Sequence, residues 1–203
     1  MKMKRRRRIA AMILAWGVIL TTLGGYVFAK YVKNESFSGS VTIKAEIGTI
    51  ELKEHEAVKN INGSYELTGK LLPNEAVTGN IYTLIPGLDV PKDPHVVITK
   101  PNNLPVYVYV EVVSNLPSTI TFELADGWTK VDGVTAPNGG TVYVYNDAIT
   151  ASGTFFILEN NKIMVSQKLL SDTTADIKMT IYAYMYQTAA GTDATQVFKH
   201  YNP

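Results

Sequence analysis

Cysteine is absent from all 203 residues. That excludes disulfides, thiolate metal sites, iron–sulfur clusters and a cysteine nucleophile. Burial and hydrogen bonding must hold the chain together. Histidine is scarce, with three residues, His55, His95 and His200. A zinc-peptidase helix needs His-Glu-x-x-His, two imidazoles one turn apart with a carboxylate base between them. His55-Glu56 begins such a motif, but Lys59 stands where the second histidine belongs. His95 and His200 are far away in sequence, and the three histidines read as surface or loop residues. No Gly-x-Ser-x-Gly elbow and no phosphate-binding glycine loop occurs. Asp89 with Asp93, and Asp172 with Asp176, lack the dense spacing of a calcium loop and read as turn carboxylates. No catalytic residue, no metal and no cofactor is expected.

Acidic residues are missing from the first 29 positions, where Lys2, Lys4 and Arg5 to Arg8 form a basic patch. Ile9 to Leu23 follows as an almost unbroken apolar run of 15 residues, then Gly24-Gly25 and Val27-Phe28-Ala29. A basic start, an apolar middle and a small-residue exit are the parts of a secretory signal peptide. The run is shorter than the roughly 20 apolar residues of a spanning helix. Residues 1–29 are read as a signal peptide cut between Ala29 and Lys30, the chain's only membrane contact and one that ends at cleavage; an uncleaved N-terminal anchor is the alternative. The remaining 174 residues carry 13 basic and 18 acidic side chains, a net charge of −5. Such a balance argues against nucleic acid as a partner.

The remainder alternates in the manner of strands. Val41 to Ile47 has period two, and Thr49 to Leu52 resumes after Gly48. Tyr65 to Leu72, His95 to Thr99, Thr119 to Leu124, Trp128 to Val131, Thr141 to Tyr145, Thr154 to Leu158 and Lys162 to Ser166 are further strands. Asp126-Gly127, Asp132-Gly133, Asn138-Gly139-Gly140 and Asn160-Asn161 are turn signals between them. Val106 to Val113 is β-branched, aromatic and apolar on both faces, so it should be covered on both. Ile177 to Gln187 places Ile181, Ala183 and Met185 on one face and Tyr182, Tyr184 and Tyr186 on the other. Asp193 to Tyr201 is the one helical segment. Short strands separated by turns define an all-β sandwich over residues 41–203. Residues 30–40, polar and poor in core residues, read as an extended N-terminal arm.

The order of these features resembles the TasA/camelysin family of exported proteins with SipW-type signal peptides. Gly24-Gly25 and the aromatic-rich Tyr26 to Tyr31 are similar to that family's export junction, and Phe37 to Leu52 to its first mature strand. Pro86-Gly87 through Lys92-Asp93-Pro94 and Val96 resembles its Pro-Gly…Lys-Asp-Pro-x-Val segment. Tyr107 to Val110, Gly127-Trp128, Tyr143 to Tyr145 and Ile181 to Gln187 resemble its later strands. The resemblance implies a jelly-roll-like β-sandwich secreted to the extracellular matrix or cell surface. It also implies self-association into filaments, with accessory matrix proteins as further partners. In such filaments the arm of one subunit adds a strand to the next. Tyr31, Phe37, Val41 and Ile43 are the candidate inserted side chains. The alternatives are a monomeric surface binding module or adhesin and, lower in rank, a camelysin-like metalloprotease. Leu116 to Ile120 looks like a sorting signal, but it lies mid-chain and reads as a turn into a strand.

Overall fold

Twelve strands and one α-helix form the framework of the residues that the computed structural model describes, namely 47–73, 79–169, 177–188 and 192–202. In chain order they are β1 (Thr49–Lys53), β2 (His55–Lys59), β3 (Tyr65–Leu71), β4 (Val90–Pro91), β5 (His95–Thr99) and β6 (Val106–Ser114). Then come β7 (Ile120–Thr121), β8 (Trp128–Lys130), β9 (Thr141–Tyr145), β10 (Gly153–Phe156), β11 (Lys162–Val165), β12 (Met179–Gln187) and α1 (Ala194–Tyr201). All pairings are antiparallel. The two main sheets run β1-β5-β10 and β12-β6-β9-β8. Smaller sheets pair β4-β11-β7 and β2-β3. Leaving β5 the chain enters the second main sheet at β6, and after β9 it returns to the first at β10. These crossings make the fold an all-β sandwich rather than a meander.

The core follows from period two. Val106, Val108, Val110 and Val112 point inward from β6, and Ile181, Ala183 and Met185 do so from β12. Ile50 and Leu52 of β1 and Val96 and Ile98 of β5 belong to the same cluster, with Ile50 opposite Ile98 and Leu52 opposite Val96. The other face of β6 is also closed. Tyr109, Tyr184 and Tyr186 are buried there against Phe198 of α1. Asp193 starts that helix by accepting hydrogen bonds from the Thr195 and Gln196 amides at 2.9 and 3.2 Å. Those amides have no partner inside the helix. Lys199 and His200 lie in its last turn, where positive charge favours the helix dipole.

Several sequence boundaries shift. Thr119 to Leu124 shortens to β7, reached through a turn in which the Ile120 amide donates to the Pro117 carbonyl at 2.9 Å. Trp128 to Val131 and Ile177 to Gln187 shorten to β8 and β12. β2 was not expected; it forms because Tyr65–Leu71 supplies a partner for it. Residues 41–46 and the arm, with Ala29, Lys30, Tyr31, Phe37, Val41 and Ile43, lie outside the described residues. Among the described residues no helix is long and apolar enough to cross a membrane.

Gly48 admits the chain to β1. Its φ is +114°, and a Cβ there would stand 2.3 Å from the Thr99 carbonyl oxygen. Gly48→Ala is expected to cost about 1–3 kcal/mol of stability, since it adds a backbone clash to a conformation that L-residues avoid. Urea unfolding measures the cost; an unchanged midpoint would show that β1 can be entered another way.

Candidate functional site

Two dipeptides of opposite polarity face each other at one end of the sandwich. Glu54-His55 forms the junction of β1 and β2, and Lys92-Asp93 joins β4 to β5. Pro91 and Pro94 flank Lys92-Asp93. Proline fixes its own φ and drives the preceding residue toward extended backbone, so both sides of the dipeptide are stiffened. Both Nζ–oxygen distances from Lys92 to the Glu54 carboxylate are 3.1 Å. The Asp93 carboxylate accepts from the His55 amide at 2.9 Å and from His55 Nδ1 at 2.5 Å. His95 Nδ1 donates to the Asp93 carbonyl at 2.8 Å, and the two imidazole rings stack with centroids 5.4 Å apart.

Asn80 ties the seam together. Its Nδ2 donates to Glu54 Oε1 at 2.8 Å and to the His55 carbonyl at 2.7 Å. Its Oδ1 accepts from the Ala57 amide at 2.7 Å. Tyr82 donates its hydroxyl to the Pro91 carbonyl at 2.5 Å. Glu54, Lys92, Asp93 and His95 are all buried.

Burial sets the electrostatics. Loss of water pushes the Glu54 carboxyl above the usual carboxylate range, against the opposing pull of Lys92. The same loss pushes the Lys92 ammonium below the ordinary lysine value, with Glu54 pulling it back up. Tyr82 is held well above the phenol range by burial, and the charges of Glu54 and Asp93 add to this. Such a seam contributes little net stability, because desolvation offsets most of the Coulomb attraction.

His95 titrates low because burial disfavours imidazolium, although its bond to the Asp93 carbonyl acts the other way. An unfolded histidine binds its proton near about pH 6.5, so between that value and the lowered folded one the native state holds fewer protons. Stability from this group is therefore complete above about pH 6.5 and is lost as pH falls below it. The slope reaches at most about 1.4 kcal/mol per pH unit for one proton. Unfolding midpoints measured between about pH 7.5 and 5.5 should fall for the natural sequence and fall less for His95→Gln. Parallel curves would show that another group titrates.

The structure brings together residues that sequence spacing kept apart. His55 and His95 are not scattered surface or loop residues: His95 is buried in β5 and stacks on His55 at the head of β2. Asp93 is not a turn carboxylate but the hub between the two histidines. His55, Asp93 and His95 present ligand-type atoms within 4.8 Å of one another. On one zinc ion, bonds of about 2.0–2.1 Å in tetrahedral array set neighbouring ligand atoms about 3.3 Å apart. His55 Nδ1 and Asp93 Oδ2 are 2.5 Å apart, a hydrogen bond and not a coordination spacing. The cluster is a hydrogen-bonded His–Asp–His array. Asp89 pairs with Lys162 at 2.8 Å, which holds its carboxyl below the usual range. Asp172 and Asp176 lie outside the described residues, and His200 stands exposed on α1.

A second polar site was not anticipated. Glu111, on β6 between two apolar faces, is fully buried. It accepts from the Asn138 and Gly140 amides at 2.8 and 2.9 Å, from Asn138 Nδ2 at 2.9 Å and from the Tyr184 hydroxyl at 2.5 Å. A single acid within Val-Tyr-Val-Tyr-Val-Glu-Val-Val was the available signal.

No family model matches the chain, and neither does any curated protein or solved structure.

Proposed function

We propose that the protein is a secreted, non-enzymatic structural subunit of extracellular matrix or surface fibres. In this reading cleavage after Ala29 frees the arm at residues 30–40, which together with the residues just after it adds a strand to a neighbouring copy through Tyr31, Phe37, Val41 and Ile43. One observation carries the reading. β12, nine residues long, is an edge strand whose only described partner is β6. β1, itself at the edge of its sheet, lies beside it at the same margin of the sandwich. Among the described residues neither β12 nor β1 pairs with a further strand on that side, and an unpaired edge invites strand addition. Head-to-tail addition does not close on itself, so it extends into a filament.

The test is electron microscopy of protein beginning at Lys30 beside protein beginning at Val41. Filaments are expected from the first, and a folded monomer from the second. Equal filament yield would refute strand donation. A strict monomer in both would favour the binding-module reading. Stoichiometric zinc with chelator-sensitive peptide cleavage would favour the camelysin-like metalloprotease.

A further inference from the structure

We propose that the protein forms an isopeptide bond within itself, joining the Lys92 side chain to the Asn80 side chain, with Glu54 carrying the protons. The inference stands apart from the fibre reading and depends only on the seam around Glu54.

Amine and amide share one oxygen. Lys92 Nζ and Asn80 Nδ2 lie 3.1 and 2.8 Å from the same Glu54 Oε1, so a nucleophile, a leaving group and a proton carrier meet at one point. The amine and the carboxyl are almost wholly sealed from solvent, Lys92 being 5% and Glu54 3% exposed. A lysine stripped of water is the form that serves as a nucleophile. The Asn80 amide is locked by three bonds, and one of them is catalytically apt. Its carbonyl oxygen accepts from the Ala57 backbone amide at 2.7 Å, where negative charge would develop during attack. The group that must depart, Nδ2, already points at the carboxyl that can protonate it. The same burial keeps water from the amine and the carboxyl, while Asn80 itself is half-buried.

The steps balance. A proton passes from the Lys92 ammonium to the Glu54 carboxylate, leaving a neutral amine and a carboxylic acid. The Nζ lone pair attacks Asn80 Cγ, the carbon–nitrogen bond forms, and the carbonyl electrons move to Oδ1 against the Ala57 N–H. Glu54 gives its proton to Nδ2 and takes one from Nζ. The Cγ–Nδ2 bond breaks, the carbonyl re-forms, and ammonia leaves. Nothing is oxidised or reduced, and no co-reactant enters. The product fastens the segment between Asn80 and Lys92 to itself. In the described part of that segment the backbone makes little regular structure beyond the Ile85–Leu88 bridge and β4. In a chain without cysteine this is a covalent brace that needs no oxidant.

The experiment is intact mass of the purified, folded full chain after denaturation, followed by peptide mapping. The expected result is a loss of one ammonia, located in a branched peptide that joins Lys92 to Asn80. Lys92→Arg and Glu54→Gln should each restore the full mass. If those variants do not fold, the map of the natural sequence decides alone. Three results would overturn the proposal: a full unmodified mass, a loss of one water joining Lys92 to Glu54, or an ammonia loss mapped to an Asn-Gly step such as Asn62-Gly63 or Asn138-Gly139.

Discussion

Glu111→Ala should lower the free energy of unfolding by about 3–5 kcal/mol, one of the two largest single-residue effects expected here. The carboxylate sits midway along β6 and receives four hydrogen bonds. Two come from the backbone of the turn 138–140, so Glu111 pins that turn to the sheet. The turn can approach because residue 140 is glycine; a Cβ there would stand 2.5 Å from the Val112 carbonyl oxygen. Alanine would leave the Asn138 and Gly140 amides of this part-exposed turn and the buried Tyr184 hydroxyl without their acceptor. Each unsatisfied buried donor costs about 1–3 kcal/mol, and relaxation recovers part of the sum. Glu111→Gln separates charge from shape. Its carbonyl oxygen can still accept from both amides, and the Tyr184 hydroxyl can turn to accept from the new amide. The Asn138 side chain then meets a donor with a donor. A loss of about 1–2 kcal/mol is expected for Gln. Chemical denaturation gives both values. An alanine variant within about 1 kcal/mol of the natural sequence would mean that water or a shifted turn replaces the carboxylate.

The second large effect concerns α1. Phe198→Ala should cost about 3–5 kcal/mol, the range for truncating a fully buried aromatic side chain. Phe198 is completely buried, and its ring lies 5.0 Å from Tyr109 and 6.0 Å from both Tyr184 and Tyr186. The helix has eight residues, too few to persist in water without packing. Without the Phe198 anchor the helix should fray, opening the tyrosine layer and weakening the Tyr109 hydroxyl bond to the Ala194 carbonyl, 2.7 Å in the intact fold. Near-ultraviolet dichroism should lose tyrosine signal, and amide exchange should rise over 194–201 while β1 and β5 stay protected. If exchange rises equally across the whole sandwich, α1 is not a separate cover but part of one cooperative unit.

Much of the secondary structure was legible because it is local. Thr141–Tyr145 and His95–Thr99 appear with the expected bounds: the first alternates Val142 and Val144 with Thr and Tyr, and the second is a β-branched run that follows Pro94. Asn160 and Asn161 sit at φ of 52° and 51°, so the Asn-Asn signal marked a real left-handed turn. The apolar character of Val106 to Val113 on both faces announced two coverings, and the core and α1 supply them. Asp193 lay at the head of the helical segment and is its cap. The strand at β2 was not legible. Glu56 and Lys59 break its alternation, and three residues of β3, 68–70, oppose the single Glu56.

The polar seam marks the boundary between local and non-local information. Period two, turn residues and a capping aspartate act within a few positions, so the chain declared by itself that it is a strand-rich sandwich closed by one helix. Glu54 meets Lys92, and His55 meets Asp93, across 38 positions. That encounter depends on which strands neighbour each other, and strand order follows from packing the whole core rather than from any window of residues. The same holds for Glu111, whose partners lie 27, 29 and 73 positions away. A charge in an apolar strand can be seen in the sequence; the donors that make it tolerable are supplied only once the sheet and its turns have come together.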